Sequence, residues 1–383
     1  AGDENGPRYV NAAAVIAHAQ ILAELDRRDD ALSAIDAALA MGFGGEAIPQ
    51  LAADLRAGKE IAFDVIREPA EGASEAVLLL AGALSREQAD RRALVYTRVA
   101  QHMSPLVEEA ALLAADILQQ QRQYDLAAKE YAKIEPTSSL FDTAEIGRSD
   151  ALFADEREDE AAEVLTALIR KSPQNADVRV ALGDLYRRTE AFDKASVAYT
   201  DALDLLGERA GWFLYYSRGI TFERTDRWDQ AEADFRKALE IEPDQPLVLN
   251  YLGYSLVELR RNFDEALGMI ETAVEQRPED GYITDSLGWV LYRIGKFEEA
   301  VAPMERAVEL APIDPIINDH LGDVYWMVGR TLEAEFQWRR ALSFEPEPED
   351  AQRIRRKLEV GLDVVLAEEE AEAPVTETAN DDG

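Results

Sequence analysis

The chain has 383 residues, of which 76 are Asp or Glu and 40 are Lys or Arg, so its net charge is −36. This negative field repels phosphate backbones and anionic lipid headgroups, which makes nucleic acid a poor candidate partner. Cysteine is absent, which excludes disulfides, thiolate zinc sites and Cys nucleophiles within this sequence. No run of 18 or more apolar residues occurs, so no transmembrane segment is predicted.

A small residue recurs along the chain at intervals close to 34. The series is Ala19, Ala53, Ala81, Ala115, Ser149, Gly183, Gly219, Gly253, Gly288 and Gly322. A second series follows twelve or thirteen residues later, at Ala31, Ala93, Ala127, Ala161, Ala195, Ala231, Ala266, Ala300 and Ala334. A third series comprises Ala38, Ala100, Ala202, Ala238, Ala273, Ala307 and Ala341. Three series in one register indicate a repeat architecture.

These residues resemble the tetratricopeptide repeat, which has a period of 34 residues and two antiparallel helices per unit. Where the two helices cross, their backbones approach closely, so the crossing residue is small and large side chains such as Phe235, Met304 and Trp338 fill the groove beside it. Proline ends the second helix of a unit at Pro105, Pro173, Pro243, Pro278, Pro312 and Pro346. We therefore predict an all-α fold, a right-handed superhelical α-solenoid of about ten helix-turn-helix units with a C-terminal capping helix.

Four regions are predicted in chain order. Residues 8–148 keep the spacing but lose the Gly residues and several aromatics, so we expect degenerate repeats there. The short step from Ala53 to Ala81 is interrupted around Pro69 and indicates a loop or, alternatively, a boundary between an N-terminal fragment and the main array. Residues 149–346 form the well-formed array, and 347–367 have amphipathic spacing typical of a capping helix. The acidic stretch 368–383 is expected to be a disordered tail.

No catalytic, cofactor or metal site is predicted. The chain lacks a phosphate-binding loop, a nucleophile elbow, a zinc helix and a calcium loop. Gly58 and Gly295 each precede a Lys but belong to turns. The three histidines, His18, His102 and His320, fall in different repeats and are not expected to share a metal.

The resemblance implies that the first helix of each unit lines the concave side, with the residues three before and one, four and five after the crossing residue facing inward. The candidate partner-binding residues are Tyr216, Asn250, Tyr254, Asp285, Trp289, Tyr292, Arg293, Asp319, Asp323 and Trp326. Aromatic side chains provide contact area and short polar ones can bond a peptide backbone. Alternatively, Trp289 and Trp326 pack between repeats, and the polar series that includes Asp285 and Asp319 forms hydrogen bonds between repeats.

Two segments, Leu249 to Leu256 and Asp285 to Arg293, resemble the C-terminal repeats of bacterial envelope lipoproteins built of tetratricopeptide repeats. The best understood members of that group are adaptors that deliver substrates to a carboxyl-terminal processing protease. The resemblance implies a non-enzymatic adaptor in the periplasm or cell envelope, whose partners are that protease or its substrates, and whose lipidated Cys would precede residue 1. The residues alone also allow a cytoplasmic protein, a scaffold that uses its convex faces and ends, or a non-catalytic fragment of a larger enzyme.

Overall fold

A computed structural model of the chain describes residues 12–40, 47–63, 68–104 and 108–372. Within these ranges the chain is all-helical, apart from turns and one 3-10 turn at Gly207–Arg209, and contains no strand, which confirms the predicted all-α class. The chain divides into two compact units, Ala1–Leu185 and Tyr186–Gly383.

The first unit contains α1 to α9, and α10 spans its boundary with the second. The helices are α1 Ala12–Glu24, α2 Arg28–Ala40, α3 Ala47–Arg56, α4 Pro69–Arg86, α5 Asp90–Met103, α6 Glu108–Gln120, α7 Tyr124–Tyr131, α8 Phe141–Ala154, α9 Glu158–Lys171 and α10 Ala176–Arg188. Helix α3 packs against α1 and α2, whereas α4 pairs with α5, α6 with α7 and α8 with α9.

The second unit contains α11 to α21. These are α11 Phe192–Leu206, α12 Trp212–Glu223, α13 Trp228–Ile241, α14 Pro246–Glu258, α15 Phe263–Gln276, α16 Gly281–Arg293, α17 Phe297–Leu310, α18 Pro315–Met327, α19 Thr331–Ser343, α20 Pro348–Val360 and α21 Leu362–Glu372. Each even-numbered helix from α12 to α18 packs against the helix that follows it, and we call the two the first and second helix of a hairpin. First helices of successive hairpins also touch, as α14 touches α16 and α16 touches α18.

The predicted crossing residues lie where the two helices of a hairpin are closest. A Cβ added to Gly253 would lie 2.8 Å from Ile270 Cγ1, and one added to Gly288 would lie 2.5 Å from Met304 Cγ. In the first unit the hydroxyl of Ser149 donates to the carbonyl of Ala161 at 3.0 Å, so residues of the first and second small-residue series meet directly. The register read from the sequence is therefore the packing register of the hairpins.

The turn between the two helices has a fixed conformation. The residue seven positions after the crossing residue has a φ between 55 and 81° in nine repeats, in the left-handed region. Glycine occupies this position only at Gly295 and Gly329, and the other residues are Asp26, Gln88, Arg122, Glu156, Glu190, Asp226 and Arg260. A single left-handed residue reverses the chain, so hairpins with and without the turn glycine share one geometry.

Proline follows the second helices as predicted. Helix α13 ends two residues before Pro243, and α15 and α17 likewise end two residues before a proline. Pro105 lies outside the described residues. The following first helices begin with a side-chain cap, since Gln245, Asp280 and Asp314 accept hydrogen bonds from the backbone N–H groups of the first turn.

Two regions of the chain differ in detail from the expectation. The stretch expected to be a loop contributes the start of α4, whose capping box joins Glu68 and Glu71 and whose first helical residue is Pro69. At the other end, the predicted capping helix is two helices, α20 and α21, separated by Gly361 at a φ of 86°. Helix α21 runs to Glu372, beyond the predicted start of the acidic tail, and residues 373–383 lie outside the described part.

Two glycine substitutions test the packing register, because they should change the stability of the protein in opposite directions. We expect Gly288→Ala to destabilise the protein by about 1–3 kcal/mol, because the new methyl group overlaps the fully buried Met304. We expect Gly268→Ala to stabilise it by about 0.5–1 kcal/mol, because this exposed helical glycine has no atom within 4 Å of its added Cβ. Chemical denaturation measures both; equal effects would contradict the register.

Candidate functional site

All ten candidate residues lie on first helices of the second unit. They divide into two groups by exposure. The half-buried group, which we call the inner-face residues, is Tyr216, Asn250, Tyr254, Arg293 and Trp326. The buried group is Asp285, Trp289, Tyr292, Asp319 and Asp323. That residues of either group contact a partner stays a prediction. The half-buried and the buried group lie in different environments.

The buried residues of α16 form a stacked cluster with α18. The ring of His320 lies 3.9 Å from the ring of Trp289, which in turn stacks on Tyr292 at 4.8 Å. Asp285 Oδ2 lies 3.0 Å from His320 Nδ1. The indole N–H of Trp289 donates to Glu258 at 2.7 Å. Although burial, the largest single effect, lowers the pKa of His320, the carboxylates of Asp285, Asp319 and Asp323 together outweigh it, and the pKa is raised above its usual value.

The buried carboxylates of α18 bind a lysine from α20. Lys357 Nζ lies 2.7 Å from Asp319 Oδ2 and 2.6 Å from Asp323 Oδ1, and its side chain is fully buried. Arg353 approaches Asp323 at 3.4 Å, and the indole N–H of Trp338 donates to Asp323 at 2.9 Å. Burial, followed by the neighbouring Asp323 carboxylate, raises the pKa of Asp319 to about 6. The fully buried Lys357 is thus shared by two buried carboxylates, and the partly exposed Arg353 joins Asp323 to Glu369.

The inner-face residues of α14 have polar atoms without partners. The side-chain Oδ1 of Asn250 is buried and accepts no hydrogen bond from any described residue. The hydroxyl of Tyr254, one helical turn further along, makes no hydrogen bond within the described part of the chain. Burial raises the pKa of Tyr254, so this hydroxyl stays protonated and able to donate. A partner's backbone carbonyl and N–H would match this pair.

The other inner-face residues flank α14. Tyr216 of α12 lies edge-on to Tyr251 with ring centroids 5.8 Å apart, and it is half-buried. Arg293 of α16 bonds to Glu258 at 2.8 Å. Trp326 of α18 donates its indole N–H to Asp363 at 3.2 Å. The resulting surface is aromatic, with one guanidinium held by a carboxylate.

Sequence reasoning did not identify His320, Lys357 and Arg353 as partners of the candidate carboxylates. A signal for Lys357 was present, because it lies 35 residues after Gly322 and so occupies the position where the register expects a small residue. Its charge at that position indicates that α20 does not cross a second helix in the usual way. No comparable signal exists for His320, whose contact with Asp285 depends on how neighbouring hairpins stack.

No helix in the described ranges is both long and apolar enough to cross a membrane. No group of three or more His, Asp or Glu side chains in those ranges is placed to hold a metal ion.

Comparison with known proteins places the repeat in a family. Profiles described as tetratricopeptide repeat match residues 152–208, 212–245, 252–315 and 287–351. These residues are tetratricopeptide repeats. The TPR repeat-containing protein PA4667 of Pseudomonas aeruginosa is 29% identical over 191 residues, which are 50% of this chain and 32% of that protein. The match therefore spans about a third of that relative's length.

Solved structures share the fold. A tetratricopeptide repeat protein from Parabacteroides merdae is 18% identical, with a TM-score of 0.52 over 66% of this chain and 97% of its own. The APC/C hetero-tetramer Cut9-Hcn1 is 15% identical, with a TM-score of 0.54 over 94% of this chain and 65% of its own. At these identities the likeness shows the fold alone.

The buried lysine tests the ion network of α18 and α20. We expect Lys357→Met to destabilise the protein by about 3–5 kcal/mol, because Asp319 and Asp323 then lose their shared cation in the interior. The matched control is Lys237→Met at an exposed lysine that pairs with Glu240, and it should leave stability unchanged. Urea titration of both variants measures the difference, and similar effects would show that the network contributes little.

The raised pKa of His320 predicts a pH-dependent contribution to stability. A group whose pKa is raised by folding adds stability below its unfolded value, here 6.5, and this stability is lost as pH rises through the higher folded value. The gap in unfolding free energy between wild type and His320→Gln should therefore be wider at pH 6 than at pH 9. Asp285, Asp319 and Asp323 stay in both proteins, so the comparison isolates the imidazole. A gap independent of pH would contradict the ion pair.

Proposed function

We propose that this chain is a non-catalytic adaptor that binds a protein or peptide through the inner-face residues of its tetratricopeptide repeats. The observation that supports the proposal most directly is the pair of unpartnered polar groups on α14, Asn250 Oδ1 and the Tyr254 hydroxyl. A buried acceptor without a hydrogen bond costs free energy, and rotation of the Asn250 side chain toward a peptide N–H removes that cost on binding. The half-buried aromatic rings beside it supply apolar contact area.

The buried candidates support this role indirectly. Asp285, Trp289 and Tyr292 are held by stacking and by His320, so they fix the positions of the half-buried side chains next to them. A surface already ordered before binding loses little conformational entropy when a partner arrives. Contacts of modest strength on several first helices then add along the array.

A non-enzymatic role agrees with the state of the titratable groups near the inner face. The Asp285 carboxylate and the His320 imidazole lie in contact with each other, and Asp319 and Asp323 surround Lys357. These groups are bound inside the protein and do not point a free acid, base or nucleophile at the inner face.

The partner class we favour is a carboxyl-terminal processing protease or its substrates, with the adaptor in the bacterial periplasm or cell envelope. This finer proposal rests on the resemblance of Leu249 to Leu256 and of Asp285 to Arg293 to the repeats of envelope lipoproteins. A cytoplasmic location is the alternative.

A scaffold that binds through the outer surface is the second candidate function. Leu332 and Phe336 of α19 support it, because they are 79% and 62% exposed and lie one turn apart on the same face of the second helix. Such a scaffold would keep its partners when the inner face is altered.

The experiment is affinity capture from the source cell with the tagged full chain and quantification of the bound processing protease. The inner-face variant combines Asn250→Ala, Tyr254→Ala and Arg293→Ala. The outer-face control combines Leu332→Ser and Phe336→Ser. Since the altered side chains in the inner-face variant supply both the polar contacts and one aromatic contact, we expect it to retain at least about tenfold less protease. The outer-face control should retain as much as wild type.

Thermal unfolding of each variant checks that the fold is intact. Equal loss in both variants, or loss in the outer-face control alone, would contradict the inner face as the binding surface and favour the scaffold. Capture of cytosolic proteins without the protease would contradict the envelope assignment.

A further inference from the structure

Four apolar residues form a row at the beginnings of successive first helices. Each lies six residues before a crossing glycine, and they are Phe213, Leu247, Tyr282 and Ile316, which we call the helix-end row. Phe213, Tyr282 and Ile316 are 49%, 63% and 37% exposed, and Leu247 is half-buried. Single exposed apolar residues are ordinary, but four at one repeat position form an aligned surface.

Side-chain contacts place both ends of the row against neighbouring groups. The Phe213 ring lies 5.5 Å from Trp212 and 6.2 Å from Tyr216, which itself touches Tyr251 of α14. At the other end, the carboxylate of Asp314 at the start of α18 raises the pKa of Tyr282 on α16 and also caps the N–H of Ile316. Tyr282 and the start of α18 are therefore adjacent.

The helix-end row does not continue into α20, which follows the last repeat. The same position in α20, six residues before Lys357, is Ala351, which is 6% exposed. The surface is thus limited to α12, α14, α16 and α18, the hairpins whose first helices follow the repeat register.

The backbone N–H groups at three of the four row positions are already bonded. The N–H groups of Leu247, Tyr282 and Ile316 donate to the capping side chains of Gln245, Asp280 and Asp314 at 2.9–3.1 Å. At these three positions an extended peptide would find no backbone donor for its carbonyl groups, which makes such binding costly, whereas the start of α12 has no side-chain cap. A helix satisfies its own backbone, so it can dock through side chains alone.

The spacing of the row matches a helix with one apolar residue per heptad. Neighbouring first helices touch, through Tyr216 and Tyr251 for α12 and α14 and directly for α14, α16 and α18. Packed helices lie about 8–10 Å apart, so we expect adjacent members of the row to be separated by about that distance. Seven residues of α-helix rise about 10 Å. A helix that crosses the starts of α12 to α18 would therefore place one apolar side chain against each.

The charges beside the row are mostly acidic. The connections that lead into these first helices contain Glu208, Glu242, Asp244, Glu279, Asp280 and Asp314 against Arg209 and Arg277, and Glu279 pairs with Arg306. With a net charge of −36 for the whole chain, this edge attracts Lys and Arg and repels an anionic membrane surface.

We propose that the helix-end row is a docking surface for a basic amphipathic helix of a protein partner, with one apolar residue per heptad against each first helix. This surface uses residues other than the inner-face residues, so the proposal goes beyond the proposed function. If the helix-end row proves not to bind a helix, the proposed function is unaffected.

The probe is a fluorescein-labelled synthetic helix of three heptads, with Leu at the first position of each heptad and at the residue that follows the third, so that four Leu residues match the four row members, with Lys at the flanking positions and Ala elsewhere. Fluorescence anisotropy measures its affinity for the full chain. The row variant combines Phe213→Ser, Tyr282→Ser and Ile316→Ser, all at exposed positions, and the control is the outer-face variant Leu332→Ser with Phe336→Ser. We expect at least about tenfold weaker binding to the row variant and an unchanged affinity for the control.

Two further peptides test the proposed chemistry. One has Glu in place of every Lys, and the other has a proline in its middle heptad; both should bind wild type at least about tenfold more weakly. Equal binding of the row and outer-face variants, or undiminished binding of either altered peptide, would overturn the proposal. If the probe loses affinity for the inner-face variant but not for the row variant, the helix-end row is wrong while the proposed function stands.

Discussion

The close approach of two helices at a small residue is the constraint on which the other features depend. At Gly253 and Gly288 there is no room for a Cβ, because Ile270 and Met304 fill the groove against the glycine backbone. This contact sets how each hairpin closes, and the left-handed residue seven positions later sets how it turns. Because the crossing and the turn are the same in each hairpin, equivalent residues of successive first helices lie side by side. Their side chains therefore form continuous rows on the surface.

The array ends where this constraint is broken. Lys357 occupies the crossing position of α20, but its long side chain reaches back to Asp319 and Asp323 of the preceding first helix. Helix α21 starts directly after Gly361, without the usual turn, and Gly361 leaves space for Trp326 against its backbone. A buried ion network therefore replaces the hairpin crossing, and α20 covers the last repeat without continuing the series.

The sequence predicted the features that local spacing determines, and it missed those that depend on stacking. Crossing glycines, their fillers and the prolines after second helices all follow from contacts within one hairpin. The bond between Asp285 and His320 joins two hairpins, so no spacing rule within a unit reveals it. The start of α4 was also missed, because Pro69 interrupts a repeat pattern but is favourable as the first residue of a helix.

One repeat position explains why an unbonded side-chain oxygen lies on α14, in the middle of the well-formed repeats. Asn250, Asp285 and Asp319 all lie three residues before a crossing glycine. Asp285 meets His320, which lies two residues before the next glycine, and Asp319 meets Lys357 at the next crossing position. Opposite Asn250 the corresponding residues are Ser286, whose hydroxyl donates to its own helix, and Gly288, which has no side chain. Asn250 Oδ1 therefore finds no donor on the next first helix, whereas Asp285 and Asp319 each bond a side chain there, although Asp319 Oδ1 is also left without a hydrogen bond.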